Sequence, residues 1–147
     1  MSLNKLLASS APSATVIIRL MVGLVFLSEG LQKFLFVHEL GVGRLTKMGV
    51  PAPEVMAPFV GCCEILCGTL LCIGLLTRLA TLPLFGVMIG AFIFSRIPEF
   101  AKVGFWAGLH GGRTDYSMWM GLLFLLIVGA GPVSLDKRLL ERRDKRT

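Results

Sequence analysis

Charge is scarce in this chain. Asp, Glu, Lys and Arg make up 16% of its 147 residues, against about 25% for a soluble domain, so a water-exposed globule is excluded and a membrane setting is indicated. Histidine is rarer still. His38 and His110 are the only two; they fall in separate polar stretches without a neighbouring cysteine, so no metal site is expected. Cysteine is confined to one apolar run, as Cys62, Cys63, Cys67 and Cys72. No pair has Cys-x-x-Cys spacing, thiols on one helix bridge poorly, and no other run supplies a partner. They read as small packing residues and not as a dithiol centre. Phosphate loops, dinucleotide fingerprints and nucleophile-triad spacings are also missing, which leaves nucleotide-driven and hydrolytic chemistry without support. No soluble cofactor is evident.

What the chain does hold is long apolar runs. Hydrophobic residues account for 54% of it, and a helical span needs roughly 20 of them, so the length allows about four spans. Helices are the way such runs satisfy their backbone in lipid. The expected fold is therefore all-α: an integral membrane four-helix bundle, one membrane domain over residues 1–147, with spans near 16–37, 54–76, 79–94 and 116–133. Met1–Thr15 is expected to be retained, because the following run is too long for a signal peptide, contains Arg19 and lacks a small-x-small cleavage site. Residues 38–53 read as a loop broken by Gly41, Gly43, Gly49, Pro51 and Pro53, and Thr77-Arg78 as a tight turn. Residues 96–115, with Phe100, Phe105, Trp106 and His110, read as a longer loop, interfacial or partly re-entrant. In the third span, Gly86 and Gly90 have the small-xxx-small spacing of close helix contact.

Net charge is +6, and Lys137, Arg138, Arg142, Arg143, Lys145 and Arg146 crowd the end of the chain. The basic tail, residues 136–147, reads as a cytoplasmic anchor on anionic lipid headgroups and not as a nucleic-acid surface. With both termini inside, the inner side carries nine Lys and Arg residues: Lys5, Arg19, Arg78 and the six of the tail. The outer side carries Arg44, Lys47, Arg96, Lys102 and Arg113.

The ionisable residues inside the runs carry the chemical interest. The run from Gly61 to Arg78 holds a single acid, Glu64, and the first span holds Glu29 and Lys33. Glu29 and Lys33 are spaced to meet on one helix face. If the first span rises and the second returns, Glu29 and Glu64 both land within about 4 Å of their span centres. Charged groups at such depth are expensive and usually face a partner, a cavity or a substrate. The candidate site is thus a buried cluster of Glu29, Lys33 and Glu64, whose surplus acid can carry a proton or bond a polar head such as a quinone carbonyl. The same cluster can equally serve to fix how the helices dock. Arg19, Arg78 and Asp136 map to the inner boundary, and Arg113 and Asp115 to the outer one, as end-caps and interfacial charge pairs.

Several short motifs occur in a fixed order: Arg19-Leu20 with Gly23, Gly30-x-x-Lys33, Glu64 with Gly68, and Gly74-Leu75-Leu76-Thr77-Arg78. Arg113-Thr114-Asp115, Gly129-x-Gly131-Pro132 and Ser134-Leu135-Asp136 follow. In this the chain resembles the DoxX family of small four-span bacterial membrane proteins. The resemblance implies a multi-pass protein of the bacterial plasma (inner) membrane, redox-associated and at most a membrane oxidoreductase subunit, with quinone as the ligand to consider. Lys33, Glu64, Arg78 and Asp115 are its recurring polar positions. The expected partners are the bilayer, a lipid-soluble ligand, and either further copies of the chain or a membrane or soluble redox protein. Two other roles stay open: a small proton-coupled transporter built on the same cluster, and an assembly partner docking through the Gly86/Gly90 face, the outer loop and the tail.

Overall fold

The computed structural model describes residues 12–144, and every regular element among them is helical. Expectations about Lys5 and the retained N-terminus, and about Lys145 and Arg146 in the tail, lie outside the described residues. The elements are α1 (Thr15–Leu35), α2 (Val42–Lys47), α3 (Pro53–Ile73) and α4 (Thr77–Ala91), a π-helical turn (Phe92–Arg96), then α5 (Ile97–Val103), α6 (Phe105–Gly111), α7 (Arg113–Val128) and α8 (Leu135–Asp144). Among the described residues three helical stretches are long and apolar enough to cross a membrane: Thr15–Leu35, Pro53–Ile73 and the continuous Thr77–Val103. The fourth expected span is the 16-residue α7. Helices α1, α3, α4 and α7 form a closed ring, each packing on two of the others.

Two sequence expectations are corrected here. The turn before α4 lies at Gly74–Leu76, and Thr77 and Arg78 already belong to the helix. Gly74, at φ 70°, takes the left-handed conformation that ends α3, and its amide returns to the Leu70 and Leu71 carbonyls. The interfacial loop expected over 96–115 is also mostly helix. Proline ordinarily stops a helix because its ring meets the carbonyl four residues back. The wider π turn just ahead of Pro98 makes room for it, so α4 runs on into α5.

The α1–α3 contact is the closest in the bundle, and glycine makes it so. A Cβ on Gly68 would lie 2.8 Å from the Gly23 carbonyl oxygen, and one on Gly30 would lie 2.8 Å from the Gly61 carbonyl oxygen. On each helix the two glycines are seven residues apart, which is two turns, so both pairs fall on one seam of an antiparallel crossing. Gly86 and Gly90, which the spacing suggested as a contact face, have nothing within 4 Å of where a Cβ would sit. Small-xxx-small spacing marks where helices can approach, and among the described residues no helix lies on that side.

The core fills one half of the bundle. Val22, Leu71, Leu84, Leu122 and Leu125 are fully buried within it. Phe26, Met88 and Met118 close this core on one side and floor a cavity on the other. The bundle is therefore packed at the end where α4 begins and hollow towards the end where α7 begins.

Candidate functional site

Side chains on a helix lean towards its N-terminus. On two antiparallel helices they therefore lean towards each other when each lies beyond the crossing point. Lys33 follows Gly30 by one turn on α1, and Glu64 follows Gly61 by one turn on α3, so the seam brings them together. Lys33 Nζ lies 2.7 Å from Glu64 Oε2. The lysine also donates to the Glu29 backbone carbonyl at 3.4 Å, while its nearest Glu29 carboxylate oxygen is 3.9 Å away. The Glu64 side chain is 5% exposed and that of Lys33 11%, against 46% for Glu29. The expected cluster is thus brought together, with Glu64 as the tight partner and Glu29 at its more open edge. Like-charge proximity and burial make a lone acid at this depth costly; pairing and hydrogen bonding offset that cost.

The cluster faces a cavity of about 620 Å³ between the helices, within the range of about 300–1,000 Å³ typical of small-molecule sites. Most of its wall is apolar, with Phe26, Phe59, Met88 and Met118 among the lining side chains. Across from Lys33 and Glu64, the wall includes Arg96 and Asp115. Arg96 comes from the π turn, and it donates through Nε to Asp115 Oδ2 and through Nη1 to Glu99 Oε2. Arg44, on the short helix α2, and Cys63, one residue before Glu64, also line the space.

The remaining charges are placed differently from the expected pairs. At the packed end, Arg19 is buried and donates to the Ala130 carbonyl at 2.6 Å, and Arg78 donates to the Ile127 carbonyl at 2.8 Å. Asp136 accepts from the Leu76 amide at 2.7 Å and the Thr77 amide at 3.2 Å, while its own amide donates to the Gly74 carbonyl at 2.9 Å. It caps α4 from a distant segment and so locks the chain after α7 onto the turn between α3 and α4. Burial pushes the Asp136 carboxyl above its ordinary range, and the two amides and Arg19 oppose that push. At the other end, Asp115 pairs with Arg96 and not with Arg113, whose Nη1 lies 2.7 Å from His110 Nε2. Residues two apart on a helix point to different sides, which is why Arg113 and Asp115 do not meet.

Sequence reasoning looked to a pocket at Glu29, Lys33 and Glu64 but did not place Arg96 or Arg44 on its wall. Arg96 was hidden because residues 96–115 read as loop; helical continuity through the π turn is what aims it inward. The cysteines divide among surroundings: Cys67 is buried in the core, Cys72 lies against Gly23, Cys63 lines the cavity and Cys62 is exposed. All four are free thiols.

Apolar helices of spanning length, packed around a cavity with ionisable side chains on its wall, define an integral membrane protein of the helical-bundle class. The chain belongs to the DoxX family, whose model matches residues 14–96. That region takes in Lys33, Glu64 and Arg96, whereas Asp115 lies beyond it. The chain is also similar to an uncharacterized membrane protein of Mycobacterium tuberculosis, at 47% identity over 144 residues, which covers 94% of this chain and 88% of that protein. No solved structure matches it.

Proposed function

We propose that this DoxX-family membrane protein is a redox-associated binding subunit that holds a lipid-soluble, carbonyl-bearing ligand of the quinone class. The observation that carries this reading is the cavity of about 620 Å³, apolar over most of its wall, with the Lys33–Glu64 pair set into it. A molecule that partitions into lipid can reach such a space, and its apolar body is stabilised there by burial. Its polar head finds a lysine that still has a hydrogen to donate. Lys33 carries three, of which one goes to Glu64 and one to the Glu29 backbone carbonyl. Glu64 holds the ammonium in place, so it is a positioning residue and Lys33 is the contact.

The setting follows from the same reading. The chain forms one membrane domain in the bacterial plasma membrane, with both termini cytoplasmic and the cavity in the outer half of the bundle. The excess of Lys and Arg on the inner side supports that orientation. The electron partner is a further membrane or soluble redox protein.

Native mass spectrometry of detergent-extracted wild type and Glu64→Gln tests the reading, together with exchange of an added short-chain benzoquinone. The expected result is a quinone-sized adduct on wild type that exchanges with the added compound and is weakened or lost in the variant. Wild type that neither carries nor takes up a quinone would sink the proposal. Uptake indifferent to Glu64→Gln would remove the Lys33–Glu64 pair from it.

A further inference from the structure

The wall opposite Lys33 and Glu64 has a composition that a mere packing defect would not require. Gly86 and Gly90 lie on it with open space where a side chain would project, although both sit inside the helical stretch Thr77–Val103. Glycine inside a helix is destabilising relative to alanine, so the room it leaves needs a reason. Among the described residues no helix uses that room. The cavity does.

At the end of the same wall stands Arg96. Its Nε and one Nη1 hydrogen are taken by Asp115 and Glu99. A guanidinium has five N–H donors, so others remain for a ligand. Asp115 and Glu99 hold the planar group from two sides and fix its orientation. The π turn supplies the position, because it rotates Arg96 relative to the register that an unbroken α-helix would give.

Resting on the reading above, we infer that Gly86, Gly90 and the Arg96–Asp115 pair form the second wall of the ligand site and select a molecule with hydrogen-bond acceptors at two separated edges of an apolar body. One acceptor meets Lys33 and the other meets Arg96, while the two glycines leave space for the body between them. A 1,4-diketone ring has this form. A fatty acid, with one polar head, satisfies only one of Lys33 and Arg96. A site built to bond a polar group discriminates strongly against an analogue without it, because its own donor is then left unmatched.

The test is equilibrium binding to the full chain in nanodiscs, with a short-chain alkyl-1,4-benzoquinone and a fatty acid of matched chain length as probes. Three variants are compared with wild type: Gly86→Leu, Arg96→Gln and Glu64→Gln. Size-exclusion profile and helical circular dichroism check the fold, and Gly90→Val replaces Gly86→Leu if that variant fails to assemble. Wild type is expected to prefer the benzoquinone over the fatty acid. Filling the glycine space should weaken both probes at least tenfold, and Arg96→Gln should weaken the benzoquinone about tenfold while leaving the fatty acid within about twofold. Benzoquinone binding that responds to Glu64→Gln but ignores both second-wall variants overturns this inference and leaves the earlier reading standing. Absence of benzoquinone binding to wild type overturns both.

Discussion

Replacing Gly68 with alanine adds one carbon atom to the α1–α3 seam. That Cβ would lie 2.8 Å from the Gly23 carbonyl oxygen and 2.8 Å from the Leu27 amide nitrogen. Ordinary contact begins at 3.4 Å, and both obstacles are backbone atoms that cannot rotate aside. The helices must therefore part by about 0.6 Å, and each neighbouring contact along the seam loses a share of its dispersion attraction. Overpacking of this kind costs about 1–3 kcal/mol. Against it stands the helix-propensity gain of glycine to alanine, roughly 0.5–1 kcal/mol. Gly68→Ala should then destabilise the bundle by about 0–2.5 kcal/mol. Gly86→Ala provides the reference, because nothing lies within 4 Å of its Cβ. It receives the propensity gain alone and should be neutral or stabilised by up to about 1 kcal/mol. The difference between the two variants isolates the packing term, about 1–3 kcal/mol, since the propensity term is common to both. Reversible unfolding in mixed micelles, titrated with a denaturing detergent, measures it. Equal stabilities, or a greater loss from Gly86→Ala, would refute the antiparallel register that pairs Gly23 with Gly68.

Lys33→Met leaves Glu64 buried without its counter-charge and should destabilise the protein by about 3–5 kcal/mol, whereas Lys33→Met combined with Glu64→Leu should recover much of that loss. A double-mutant cycle reads the coupling, and strictly additive losses would mean that the two side chains do not interact. Asp136→Ala removes the acceptor of the Leu76 and Thr77 amides and should cost about 0.5–2 kcal/mol, a typical value for a lost helix cap. Hydrogen exchange should quicken at those two amides before it does elsewhere, and unchanged exchange there would argue against the cap. Asp136 also predicts a pH dependence. Its folded-state pKa is raised by burial, so the folded state is favoured when the carboxyl is protonated. The stability of wild type relative to Asp136→Asn should be greatest below the ordinary carboxylate range and fall as pH rises through the raised value. Parallel melts of the two proteins from acid to neutral pH follow that difference, and a flat line contradicts the assignment.

Much of this protein was legible in its sequence because the relevant signals are local. Low charge and long apolar runs determine that the chain is helical and enters a membrane, since lipid offers an unpaired backbone no partner. Glu29 and Lys33 could be placed on one face from their spacing, and Glu64 could be marked as costly from its apolar flanks alone. Which helix faces meet is a different kind of information. The seven-residue glycine spacing was visible on both α1 and α3, but only the assembled bundle shows that Gly23 meets Gly68 and Gly30 meets Gly61. From that register follows the 2.7 Å approach of Lys33 to Glu64. Gly86 and Gly90 show the converse: the same kind of spacing lines a cavity, because no neighbouring helix among the described residues comes to fill it. Arg96 and Asp115 meet across 19 residues only because the helix continues through a π turn that local breaker signals argued against. Periodicity and composition act along a single segment and decide what each segment becomes. The cavity and its two ion pairs arise between segments, where shape and long-range contact decide, and there the tertiary structure was needed.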